Sequence, residues 1–98
     1  MRDVTQHIGV LRMDLHIPEA QSLKDKRMVL KSLKDRMKAK FNVSVAELDG
    51  EDKWQVATLG VVMVGNDSRY IDSCLQNLLN FVENGNGLMV SDFELEFR

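Results

Sequence analysis

The stretch from Ser22 to Lys40, SLKDKRMVLKSLKDRMKAK, constrains the fold most, because it reads as one long helix held between two strand-like segments. Each residue of an α-helix advances about 100° around the axis. Leu23, Val29, Leu30, Leu33 and Met37 then share an arc about 120° wide, the breadth of a stripe that faces a core. Lys24, Arg27, Lys31, Lys34 and Lys38 share a neighbouring arc of about 80°. Ser22 is placed to cap the helix, and Asp25, three residues on, stands where a capping box would carry Glu. Pro18 keeps the helix from starting earlier.

Before this helix, Leu11, Met13, Leu15 and Ile17 alternate with Arg12, Asp14 and His16, the period of a half-buried strand. After it, Asn42–Leu48 reads as a second strand with Val43 and Val45 inward, and Trp54–Val64 as a third. Asp49-Gly50 and the acidic residues that follow make the turn between them. Asn66 or Asp67 is suited to cap a second helix of about seventeen residues, with Ile71, Cys74, Leu75, Leu78 and Val82 at helical spacing. Asn84-Gly85-Asn86-Gly87 ends it, since glycine takes the left-handed conformations found past helix C-termini. Leu88–Phe97 is a last strand, with Phe93, Leu95 and Phe97 alternating with Asp92, Glu94 and Glu96.

The order is βαββαβ. Two βαβ halves with right-handed crossovers give an α+β, ferredoxin-like sandwich: a four-stranded antiparallel sheet ordered 4-1-3-2 with both helices on one face. Residues 1–98 are expected to form one domain, with Met1–Gln6 a flexible N-terminal extension. A single Cys, Cys74, excludes an internal disulfide framework and fits a reducing compartment. It falls on the apolar arc of the second helix and is expected to be buried. No apolar run has membrane-spanning length and no secretory leader is seen at MRDVTQH, so a cytoplasmic protein with no membrane partner is expected.

Charge is strongly polarised. Ser22–Lys40 holds eight Lys or Arg against two Asp, a local +6, while the remainder holds five basic and thirteen acidic residues, or −8. A cationic stripe of this kind is either a solvated face or a site for an anion, of which phosphate backbone is the commonest. The topology also predicts an apolar patch on the open side of the sheet. The start of strand one, Ile8 and Val10, lies opposite the end of strand three, Val62 and Val64, with all four outward. Such a patch invites a protein partner or a second copy.

Three pieces of the chain, SLKDKR at Ser22–Arg27, NVSVAE at Asn42–Glu47 and Trp54-Gln55, resemble the YlxP-like family of small bacterial proteins of unknown function, within a similarity that runs almost end to end. The resemblance implies a ferredoxin-like fold. It also implies a role near the ribosome or its RNA, because the family's genes typically stand beside those for translation initiation factor two and ribosome-binding factor A. It implies no catalytic residues. The family's basic segment falls on Lys24, Lys26 and Arg27, of which Lys26 projects on the apolar arc, where its stem can lie on the core and its ammonium reach past the end.

Other constellations are weaker. Of the aromatic residues on which RNA bases stack, strand one offers only His7 or His16 and strand three only Trp54 at its beginning, and Asp92, Glu94 and Glu96 repel phosphate, so RNA would use Lys24, Lys26, Arg27, Lys31, Lys34 and Lys38 on the helix. Arg12, Asp14 and His16 share one side of strand one and read as an ion-paired surface rather than a hydrolytic site, for no Gly-rich phosphate loop follows them. Two separated histidines without ligand spacing do not make a metal site, and no cofactor motif is found. Trp54 is expected to clamp the hairpin onto the core edge, and Met28 stands beside the basic stripe.

Overall fold

The computed structural model describes residues 4–50, 52–85 and 87–98. Its elements are β1 (His7–His16), α1 (Leu23–Lys40), β2 (Ser44–Asp49), β3 (Val56–Gly65), α2 (Ser68–Glu83) and β4 (Met89–Phe97). The strands form one sheet ordered β2-β3-β1-β4, with every neighbouring pair antiparallel, the expected order read from the other edge. α2 lies against β1, β3 and β4, and α1 lies on the β2 side. Of the expected extension, Met1, Arg2 and Asp3 lie outside the described residues, as do Glu51 of the acidic turn and Asn86 of the loop after α2.

The core follows from the period of two. Leu11, Met13, Leu15 and Ile17 from one strand and Ala57, Leu59, Val61 and Met63 from the other are all buried, and they meet Leu30, Leu33 and Met37 of α1 and Ile71, Leu75, Leu78 and Val82 of α2. β3 is apolar on both sides, so its own composition does not choose a face. Its pairing does: Leu59 lies opposite Met13 and Val61 opposite Leu11, which turns Val56, Val62 and Val64 outward.

The helix ends carry their caps. The Ser22 hydroxyl oxygen accepts the Asp25 N–H at 3.1 Å, while the Asp25 carboxylate accepts from the Gln21 N–H, also at 3.1 Å, one residue earlier than in a capping box with Glu. Asp67 caps α2 by accepting the Arg69 N–H at 2.9 Å. Gly50, Gly85 and Gly87 all have positive φ, the first in the turn after β2 and the others after α2.

Three expectations are corrected. β3 begins at Val56, not Trp54; just before it, the Gln55 side chain donates to the Ala20 and Pro18 carbonyls at 3.3 and 3.4 Å. Trp54 stands outside the sheet with 50% of its surface exposed and is not among the hydrophobic residues packed against the core. Cys74 is only partly buried, and its hydrogen bond with Tyr70 raises that phenol above its ordinary pKa.

β1 meets α2 at Gly9. A Cβ there would lie 2.5 Å from Ile71 Cγ2 and 2.8 Å from Leu75 Cδ1, and both leucine and isoleucine are locked in the core. Gly9→Ala should destabilise the fold by about 1–3 kcal/mol through overpacking, read as a lower urea midpoint with unchanged slope.

Candidate functional site

The basic face of α1 is a consequence of its buried stripe. Leu30, Leu33 and Met37 face inward, so Lys24, Arg27, Lys31 and Lys38 are exposed and Lys34 is half-buried. Lys31 donates to Asp35 at 2.9 Å, one turn on. That hydrogen bond holds the Asp35 carboxyl below its ordinary pKa, and Lys38 and Lys34 add to the effect through space. Among the described residues, no carboxylate lies within ion-pair distance of Lys24, Arg27, Lys34 or Lys38. Met28, 62% exposed, stands beside this face. Lys40, at the far end, is turned onto the Phe81 ring, with Nζ 4.9 Å from its centroid.

Lys26 is not part of this face. It was expected among the nucleic-acid-binding cations, but only 1% of it is exposed. Its place on the apolar arc directs the stem inward, and its ammonium donates to the Gly50 carbonyl and to the Val56 carbonyl at 3.3 Å. Glu47 Oε1 lies 3.4 Å from the same ammonium, close enough for an ion pair, without forming a hydrogen bond to it. The ammonium thus ties the first turn of α1 to both ends of the β2–β3 connection. Nearby, the Ile17 N–H donates to the Gln55 carbonyl at 2.8 Å and the Gln55 amide holds Pro18 and Ala20, so the same connection is also fastened to the β1–α1 linker.

The open side of the sheet carries a second candidate surface. Ile8 lies opposite Val64 and Val10 opposite Val62, with Val62 and Val64 exposed by 39% and 57% and both β1 residues half-buried. Leu48 extends this patch: it is exposed and lies over Gly60, where a Cβ would come within 2.9 Å of its Cδ1. Leu48 was not among the expected patch residues, although it shares the outward parity of Ser44 and Ala46. Further along, the Arg12 guanidinium donates to Asp14 at 2.8 Å and to Asp92 at 3.3 Å, and the Thr58 hydroxyl donates to Asp14 at 3.0 Å. The Arg12 hydrogen bond depresses the Asp14 pKa against the opposing effect of burial, and Thr58 assists. His16 sits at the strand end, opposite Val56 and Met89. Among the described residues, no group of three or more His, Cys, Asp or Glu is placed to hold a metal ion, and no helix is long and apolar enough to cross a membrane.

Residues 8–95 match the model of the family described as Protein of unknown function (DUF503). The chain belongs to this family. Uncharacterized protein YlxP of Bacillus subtilis (strain 168) is 37% identical over 76 residues, which span 78% of this chain and 83% of that protein. Among solved structures, the de novo designed protein Foldit4 superposes with a TM-score of 0.50 at 16% identity, covering 95% of this chain and 93% of its own, a likeness of fold alone. SnoaB, a cofactor-independent oxygenase from Streptomyces nogalater, reaches 0.48 at 13% identity over 97% of this chain and 92% of its own, too distant to bear on function.

The three segments that carry the family resemblance are far apart in sequence, and the structure brings them to one corner. SLKDKR supplies Lys26, NVSVAE supplies Glu47, and Trp54-Gln55 supplies the amide that holds Pro18 and Ala20. In this chain, the corner does structural work. Replacing Lys26 by Met should cost about 3 kcal/mol, since the Gly50 and Val56 carbonyls and Glu47 would lose their cation. The double variant Lys26→Met with Glu47→Leu should recover part of that loss in a double-mutant cycle measured by urea unfolding, and a double-variant loss equal to the sum of the two single losses would show the pair uncoupled.

Proposed function

We propose that this chain binds structured RNA, in the ribosomal setting that the family resemblance implies, through the cationic face of α1. The observation that supports the reading is the set of cations left without carboxylate partners among the described residues: Lys24, Arg27, Lys34 and Lys38, with Lys31 shared with Asp35. From Lys24 to Lys38 the helix rises about 21 Å, enough to follow several phosphates of one strand. Contacts of this kind position a protein by charge and shape and carry no sequence information. The open sheet is a poorer surface for RNA, because Asp92 and Glu94 are exposed there and, among the described residues, no Phe, Tyr or Trp stands on the outward side of β1 or β3.

A second reading rests on the exposed Val62 and Val64. Around them stand both signs of charge, Arg12 and Arg98 with Glu94 and Glu96, the mixture that lets one face meet its own copy about a two-fold axis. Homodimerisation would bury Ile8, Val10, Val62 and Val64 together.

Binding to ribosomal subunits should be salt-dependent. Neutralising Lys24, Arg27, Lys34 and Lys38 to Gln should weaken it and reduce the log–log salt slope by roughly one unit for each phosphate contact removed. An unchanged affinity and slope would overturn the α1 reading. For the second reading, sedimentation velocity should show a concentration-dependent dimer that Val62→Glu reduces to monomer; a native protein that stays monomeric throughout would overturn it.

A further inference from the structure

The two edges of the sheet are built differently. β2 is six residues long, its pairing with β3 slips between Glu47 and Asp49, and its inward side carries the charged Glu47. Short length, a bulge and an inward charge are the devices that blunt an edge against pairing. On β4 the slip falls early, between the partners of Asp14 and Leu15, where the Ser91 hydroxyl donates to the Asp14 carbonyl at 3.2 Å. Beyond it, the strand runs in regular register from Asp92 to Phe97.

The direction of its free backbone groups follows from one pair. Ile8 and Arg98 exchange both N–H···O bonds, at 3.0 and 2.8 Å. In an antiparallel ladder such pairs alternate with non-bonded ones, so Val10–Glu96 and Arg12–Glu94 are bonded, and Gly9–Phe97, Leu11–Leu95 and Met13–Phe93 are not. The N–H and C=O groups of Phe93, Leu95 and Phe97 therefore point away from β1, along the open edge. The opposite side of β1 agrees: the odd-numbered Ile17 bonds toward β3, through Gln55.

The two faces beside this edge have opposite chemistry. On the helix side, the Phe93 and Phe97 rings remain 45% and 42% exposed. On the open side stand Asp92, Glu94 and Glu96; Asp92 is 3.3 Å from Arg12, Glu96 is 2.5 Å from Arg98, and Glu94 has no ion-pair partner among the described residues. A second β4 is a poor fit. Antiparallel pairing about Leu95 would set Glu94 opposite Glu96 twice on the same face, and directly opposed like charges destabilise a ladder.

We propose that the β4 edge takes an extended segment of a partner protein in which apolar residues alternate with Lys or Arg. The segment adds a fifth strand by main-chain hydrogen bonds to Phe93, Leu95 and Phe97, with its apolar residues against the two phenylalanine rings and its cations against Asp92, Glu94 and Glu96. This surface lies at the sheet edge away from α1 and is independent of the RNA reading.

Amide hydrogen exchange followed by NMR tests it, using a capped peptide of alternating Lys and Val. The Phe93, Leu95 and Phe97 amides should slow by about tenfold or more at saturation, as open-edge amides gain partners. A peptide of alternating Glu and Val should leave them unchanged, and Glu94→Lys with Glu96→Lys should exchange the two preferences while the remaining amide spectrum stays native. No slowing with the Lys peptide would overturn the proposal. So would equal slowing by a peptide of the same composition with Lys and Val in separate blocks, which would reduce the effect to charge attraction. Slowing that grows with protein concentration in the absence of peptide would overturn it in favour of a second copy.

Discussion

The buried ammonium of Lys26 is the interaction on which the arrangement of α1 and the β2–β3 connection depends. Removing a cation from water costs several kcal/mol unless acceptors surround it. Here two main-chain carbonyls and a carboxylate do so, and they come from Gly50, Val56 and Glu47, on both sides of one turn. The turn must therefore close against the helix for the charge to be satisfied. Gly50 makes the approach feasible: its φ is +87°, and a Cβ would lie 2.9 Å from the Val56 carbonyl oxygen that the ammonium also uses. A lysine in the apolar stripe thus acts as a positional lock, holding the hairpin in one place over the helix.

This corner divides the molecule. On the α1 side lies the cationic face, exposed because the buried stripe of the same helix is fully used in the core. At the opposite edge lies β4, acidic on one face and aromatic on the other. Between them, the open side of the sheet passes from the apolar patch around Val62 to the Arg12–Asp14–Asp92 ion pairs. The polarity seen in the charge count, +6 in one helix and −8 elsewhere, is therefore spatial as well as sequential, and the two ends are suited to partners of opposite sign.

Much of this was legible in the residues. The element order and the sheet order follow from periods of two and 3.6 with right-handed crossovers, because on β1 and both helices the period assigns a face without reference to the rest of the chain; β3, apolar on both sides, takes its face from its pairing with β1. The caps at Ser22 and Asp67 were equally local. What could not be read was the depth of burial at the margins. Phe93 and Phe97 alternate like core residues, yet on the edge strand they stay 45% and 42% exposed. Trp54 and Gln55 look like strand residues, but β3 begins only at Val56, and the Gln55 side chain bonds to the Pro18 and Ala20 carbonyls of another segment.

Lys26 shows where the boundary falls. The sequence by itself determined that its side chain leaves α1 on the apolar side, since 100° per residue allows no other direction. Whether that placed a cation at the surface or in the core depended on what lay beyond the helix end. Only the tertiary structure decided it, because the acceptors at Glu47, Gly50 and Val56 are 21 to 30 positions away, beyond the reach of any local pattern, and come within bonding distance only when the hairpin folds over the helix.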